Sequence, residues 1–301
     1  MSEWLIALEG TEAGHRAALV LALMAAFLHA VFGALQKGRY DPWVMRASVD
    51  INHIVLTLPW LFVVPWPEPH MWPIFAGVMV IHFGYKVLQA MAYTRGAYTV
   101  VYPVVRGTGP LFTVIGAYLL FGETFTGVQW LGLAVLLAGI FGLAVYNLIF
   151  LQTERETLLP ALGFALATGL FVALYTTYDA YGIRATADPF TFLAWFFFLT
   201  AFDFPVIFAL SRRMRGKLEG LALRPLLVRG TAGALVAYFS FGAIMLATRL
   251  DQVGEAAVLR ETSTVFAALI GWLFLRETVG PRRICLMALI ALGAVIVEVG
   301  G

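Results

Sequence analysis

Charge is scarce in this chain. Charged residues make up 13% of its 301 residues, about half of the roughly 25% that a soluble domain carries. A surface so poor in charge needs lipid to cover it. Cysteine is nearly absent: the lone Cys285 excludes an internal disulfide and says nothing about compartment. No basic tract appears that would suggest nucleic acid, and a net charge of +2 names no partner. The first 15 residues hold Glu3, Glu9 and Glu12 but no lysine or arginine. That is the wrong flank for a cleaved signal peptide, so the first apolar segment is expected to stay. No G-x-x-x-x-G-K-[ST] is present, which removes P-loop ATP coupling. No G-x-S-x-G and no Asp-rich pair occur, and His29, His53 and His82 sit in separate segments without metal-ligand spacing. An enzyme, a cofactor and a metal are therefore not expected.

What fills the chain instead is apolar: 61% of residues, with mean hydropathy +0.85. A spanning helix needs about 20 mostly apolar residues. Ten such segments can be read: 17–37, 43–63, 72–93, 97–121, 128–149, 158–181, 190–210, 225–248, 253–275 and 283–299. Strands of a membrane barrel would run about 10 residues with strict alternation. These segments are longer and apolar throughout, so the expected fold is an all-α integral membrane protein of ten transmembrane helices.

The two halves repeat. At an offset of 154 residues Thr94/Thr248, Arg95/Arg249, Arg106/Arg260, Thr108/Thr262, Phe112/Phe266, Glu123/Glu277 and Gly139/Gly293 coincide. Asp41-Pro42 and Asp188-Pro189 echo each other before the second helix of each half. Five helices per half is an odd number, so the second copy enters the membrane from the opposite side: a 5+5 inverted repeat, an architecture common among transporters. The polar stretch 152–157 marks the expected boundary between residues 1–151 and 152–301.

Lysine and arginine are unevenly placed. Lys86, Arg106 and Arg260 lie inside apolar segments, and Arg16, Arg184 and Arg249 lie on one side. The rest of the 20 fall on the other. The positive-inside rule makes that richer side cytoplasmic. Both termini are then non-cytoplasmic, in a multi-pass protein of the plasma (inner) membrane.

The pattern R-x-x-x-x-x-F … L-x-x-G-E around Arg106 and its echo around Arg260 resemble the drug/metabolite transporter superfamily, in its form with two EamA repeats. LHAVFGALQK, YTRGAYTVVYPVVRGTGPLF and LRETSTVFAALIGWLFLRE look like one bacterial subgroup of it. The resemblance covers essentially the full chain. It implies a ten-helix secondary transporter of small metabolites, often an exporter. Members are commonly drawn with cytoplasmic termini, the reverse of what the charge bias here gives.

A charge within a membrane span is a functional candidate by default. Tyr98, Tyr102 and Arg106 recur every fourth residue and share a helix face. Pro103 and Pro110 bracket the arginine and are expected to break the helix. Arg106 either anchors an anionic group of the substrate, with the tyrosines as walls, or is a structural cation paired to a carboxylate. His82, Tyr85, Lys86, Gln89 and Tyr93 form a polar stripe that the second half lacks. Lys86 lines a cavity on this reading, because the headgroups are roughly 12 Å from it along the helix; the alternative is snorkelling. Arg260, Glu261, Thr262 and Ser263 are consecutive, so they point around the helix. Asp179, which shares a face with Tyr175, is the expected partner of Arg260. Glu261 is the candidate coupling carboxylate, or else a structural one. Arg106 and Lys86 are expected in the cytoplasmic half, and Arg260, Glu261 and Asp179 in the outer half. His29 and Trp195 are read as packing residues, Glu123 and Glu277 as interfacial ones, and Asp50 and Asp203 take no role. Intramembrane charge on this assignment is slightly positive.

The expected function is alternating-access secondary transport, as exporter or permease, of a small polar or anionic metabolite such as an amino acid or organic acid. Substrate-binding candidates are Arg106, Lys86, Tyr98, Tyr102, Tyr85, Gln89, Tyr175 and Thr262. Arg260, Glu261 and Asp179 are ion-pair or coupling candidates. The expected partners are the substrate and the lipid bilayer, with proton coupling open and a monomer or weak homodimer as the assembly. The alternative is a membrane interaction protein or lipid flippase without a small-molecule path.

Overall fold

The computed structural model describes residues 2–36, 40–95, 98–150, 158–274 and 280–301. The side chains of residues 36, 98–100, 102–103, 147, 158, 271–272 and 274 lie outside that description. Among the described residues every regular element is helical. A short α1 (Glu3–Ile6) precedes the long α2 (Glu12–Gln36). Helix α3 (Pro42–Thr57) tightens into a 3-10 turn over Leu58–Phe62. Then come α4 (Met71–Arg95), α5 (Tyr98–Phe121) and α6 (Gly127–Phe150). The second half runs α7 (Leu158–Ala185), α8 (Pro189–Thr200), α9 (Asp203–Leu210), α10 (Arg212–Gly216) and α11 (Leu223–Leu250). It ends with α12 (Val253–Arg260), α13 (Ser263–Phe274) and α14 (Pro281–Val299).

Among the described residues seven helical segments are long and apolar enough to cross a membrane, one of them, Pro189–Leu210, combining α8 and α9. The other expected spans fall short for visible reasons. Helix α3 has 16 residues. The segment from 253 to 274 is interrupted after Arg260. Helix α14 carries Arg282, Arg283 and Glu298. Burial is inverted relative to a soluble protein. Val80 is 71% exposed and Leu119 73%, whereas Asp50 is 0% exposed and Glu261 1%. Apolar side chains outside and charges inside are what a lipid-facing surface requires.

Local chemistry sets the helix starts. Asp41 accepts from the Trp43 amide (2.9 Å), and Asp188 accepts from Phe190 (2.9 Å) and Thr191 (3.0 Å). Each aspartate caps a helix whose first residue is proline, where a missing N–H costs nothing. Helix α2 packs on α11, α12 and α13, while α7 packs on α4 and α5. Helix α6 lies along α14, backbone against backbone. A Cβ on Gly293 would stand 2.4 Å from the Leu136 nitrogen and 2.6 Å from the Gly132 oxygen. Small residues allow this approach, and it brings dispersion contacts that lipid alone would not favour.

The expected break in the helix of Arg106 is not there. Helix α5 runs unbroken through Pro103 and Pro110. Thr108 bonds back to the Val104 carbonyl, and Thr113 to the Gly109 carbonyl at 2.9 Å, hydroxyl-to-backbone bonds of i to i−4 spacing within the continuous helix. The interruption lies instead in the repeat partner, at Glu261–Thr262, where the chain tightens through Glu261 N to Val258 O (3.0 Å) and Thr262 N to Leu259 O (3.1 Å). A second break separates α8 from α9.

Candidate functional site

Both helix breaks expose carbonyls at membrane depth, and a cation from the first half meets each of them. Arg106 on α5 sends Nη2 to the Arg260 carbonyl at the end of α12 (3.1 Å) and to Ser263 Oγ at the start of α13 (2.8 Å). Its Nε lies 2.8 Å from Glu261 Oε2 in an ion contact that is off the line of the N–H. Lys86 on α4 donates to the Thr200 carbonyl at the end of α8. It also reaches Asp203 Oδ1 (3.0 Å) and Asp50 Oδ2 (3.2 Å), and Arg46 Nε stands 3.3 Å from Asp50 Oδ1. A positive group at a helix C-terminus meets the negative end of the helix dipole, so each break and its cation stabilise one another.

The two arginines expected on opposite sides of the midplane therefore touch. Glu261 stands against Arg106. Asp179 takes a different partner from the one expected: His82 Nε2 donates to its Oδ2 at 2.8 Å. Arg260 extends Nη2 towards Thr176 Oγ1 (3.4 Å), and its guanidinium lies 5.9 Å from the Tyr175 ring. Tyr175 in turn stacks on His82 (4.8 Å) and meets Tyr85 edge-on (4.9 Å). Gln89 donates to the Tyr85 hydroxyl at 2.6 Å. Thr262 bonds back to the Leu259 carbonyl (2.7 Å), so its hydroxyl serves the helix break. The side chains of Tyr98 and Tyr102, the residue Glu277 and the 152–157 boundary lie outside the described residues.

Asp50 and Asp203, which the sequence left without a role, complete the Lys86 network. Arg46 completes it too. The Arg46–Asp50 pair has i,i+4 spacing, and that spacing was the readable signal. With them, four buried or half-buried cations (Arg46, Lys86, Arg106, Arg260) face four carboxylates (Asp50, Asp179, Asp203, Glu261). The excess positive charge inferred from sequence disappears. A buried charge that loses its partner is costly, which explains why Arg46, Lys86 and Arg106 each sit against a carboxylate.

Between α7, α11 and α12 lies a cavity of about 10 Å³, lined by Tyr175, Thr176, Asp179, Phe241, Ile244, Met245, Thr248 and Arg260. Two polar atoms at this cavity lack a hydrogen-bond partner among the described residues: Asp179 Oδ1 and Arg260 Nε. One accepts and one donates. At the far end of the bundle, His15, Asp251 and Glu255 bring ligand-capable atoms within 4.8 Å of one another. Both ring nitrogens of His15 face carboxylates, Asp251 on one side and Glu298 on the other (3.4 Å). A protonated ring satisfies that arrangement without a metal.

Comparison with known proteins agrees with this architecture. A solved structure titled "Crystal structure of protein" superposes with a TM-score of 0.74 at 17% identity, covering 93% of this chain and 97% of that one. At that identity the likeness is one of fold. A curated relative, "Uncharacterized protein y4nH" of Sinorhizobium fredii (strain NBRC 101917 / NGR234), is 36% identical over 66 residues. That match spans 22% of this chain and 56% of the relative's length. The model of the EamA-like transporter family matches twice, at residues 16–145 and 159–299. The chain belongs to the EamA-like transporter family of multi-pass membrane transporters, with two EamA repeats.

Proposed function

We propose that this protein is a secondary transporter that moves a small polar or anionic metabolite, an amino acid or organic acid, by alternating access between its two halves. One observation carries the reading. An unpartnered buried donor, Arg260 Nε, and an unpartnered buried acceptor, Asp179 Oδ1, share one cavity. Once opening of the halves widens this cavity beyond its present volume of about 10 Å³, a molecule bearing a carboxylate and an amine or hydroxyl group would complete both, against an apolar wall of Phe241, Ile244 and Met245. A buried donor and a buried acceptor left without hydrogen-bond partners each cost desolvation energy, which a polar ligand between them would offset.

The ten-span, 5+5 inverted reading draws its support from packing. The first helix of each half lies on the third and fourth of the other: α2 on α11, α12 and α13, α7 on α4 and α5. The halves divide near 151/152. Seen in this way, Arg260 and Asp179 contact substrate, with Tyr175 and Tyr85 as walls. Arg106 and Glu261 form the pair that holds the broken helix shut, and Lys86 belongs to a closing network on the lysine- and arginine-rich side. That side faces the cytoplasm of a plasma-membrane protein working as a monomer or weak homodimer. Proton coupling accompanies transport.

Untargeted metabolite profiling of cells lacking and overproducing the protein tests the reading. It should reveal an amino acid or organic acid whose distribution across the membrane changes, and Arg260→Ala should abolish that change at normal protein levels. Unchanged metabolites, or full activity in Arg260→Ala, would overturn it. Reporter fusions at both termini should read non-cytoplasmic.

A further inference from the structure

Four carboxylates lie among the interior charges, and their surroundings differ. Glu261 is in contact with the Arg106 guanidinium. Asp50 touches both Lys86 and Arg46, and Asp203 touches Lys86. Beside each of these three carboxylates stands an opposite charge, which favours the charged form. Asp179 is held otherwise. Its Oδ2 accepts from the neutral-or-cationic imidazole of His82 rather than from a lysine or arginine, its Oδ1 has no hydrogen-bond partner among the described residues, and the residue lines the cavity. Asp179 is 3% exposed and His82 4%.

The charged and titratable groups around the pair are few. Helix α4 contributes Tyr85, and α7 contributes Tyr175 and Tyr178. Helix α12 contributes Arg260, whose guanidinium acts on Asp179 across the cavity. Helix α8 presents the edge of Phe196 to the imidazole at 4.9 Å. From α11 come Phe241, Ile244, Met245 and Thr248. Among the described residues, no lysine or arginine stands within ion-pair distance of Asp179. The cavity of about 10 Å³ has room for about one water molecule. That is enough to hand a proton to Oδ1.

We infer that the His82–Asp179 pair, rather than Glu261, is the proton-exchanging site of the protein. A proton from water on the open side is taken up at Asp179 Oδ1, making the carboxyl neutral while His82 remains a donor to Oδ2. The same proton returns to water when the cavity opens to the other side. Loss of the Asp179 charge leaves the positive field of Arg260 across the cavity uncompensated and open to an anionic group, so proton and anion occupy the opened cavity together and cross in the same direction. This coupling rests on the transport reading above; the proton site itself does not.

The test needs no substrate. The full-length protein in lipid is titrated while the infrared carbonyl stretch of protonated carboxyl groups is followed. A buried component of that band should grow on acidification in wild type and in Glu261→Gln, and be missing in Asp179→Asn. In His82→Phe its midpoint should move by about one pH unit, a tenfold change in proton affinity. Asp179→Glu, which keeps a carboxyl, should retain the component at an altered frequency, and this holds the test open should Asp179→Asn fold poorly. Gel filtration confirms that each variant is folded. A component that survives Asp179→Asn, or vanishes in Glu261→Gln, would overturn the proposal. Its loss in Asp179→Asn, with no metabolite moved in cells, would leave the proton site standing and reject transport.

Discussion

Arg106 and Glu261 show what burying a charge demands at the scale of single residues. Their exposures are 4% and 1%, and the two groups approach to 2.8 Å. Removing one partner strands the other in a low-dielectric interior, a loss of about 3–5 kcal/mol. Glu261→Ala should therefore destabilise the folded protein by about that amount. The double replacement Arg106→Met/Glu261→Leu should recover most of it, because no lone charge remains. Thermal unfolding in detergent of the two single variants and the double one checks this; additive losses would mean that the contact is incidental. The charged residues themselves were legible in the sequence: Lys86, Arg106, Asp179, Arg260 and Glu261 stand out in apolar surroundings. Their partners were not. Pairing across a bundle depends on which helices meet, so Asp179 took His82 in place of Arg260, and Asp50 and Asp203 acquired roles only once α3, α8 and α9 were seen around Lys86.

Helices are interrupted where an acceptor can be met, not where proline density is highest. Pro103 and Pro110 sit within a continuous α5, while α12 and α13 part at Glu261–Thr262 with no proline nearby. Sequence logic placed the break in the wrong repeat because a proline removes one backbone donor without necessarily parting a helix that is packed within a bundle, and α5 stays continuous. At α12 the freed carbonyl of Arg260 finds Arg106. Helix starts were legible, since Asp-Pro at 41–42 and 188–189 both became caps. The α6–α14 seam was marked by the repeated Gly139 and Gly293, although glycine spacing alone does not name its partner. Gly293→Leu should force these backbones apart and cost about 1–3 kcal/mol or more, seen as a lower unfolding temperature and less protein in the membrane. Gly163→Leu, at an open position, should leave both unchanged.

The whole molecule is an inside-out bundle with its charges balanced at the centre and its apolar side chains turned to lipid. Hydropathy and the 154-residue repeat made the membrane class and the two-part organisation readable, because both depend on composition and spacing. The interior pairing was not readable, since it depends on which helices meet across the bundle. Lys86 links α4 to α8 and α9, and Arg106 links α5 to α12 and α13. On the proposed alternating-access mechanism, both links open in turn while the cavity of Asp179 and Arg260 changes the side it faces.

Thiol labelling of that cavity tests this claim most directly. In a background where exposed Cys285 is replaced by serine, Thr176→Cys places a thiol on the cavity wall. Sealed membrane vesicles of each orientation are treated with a membrane-impermeant thiol reagent. Alternating access predicts labelling from both faces, at rates that change in opposite directions when Lys86→Ala weakens one closure. A folded protein whose introduced thiol never reacts from either face, or reacts from one face alone under every condition, would contradict it.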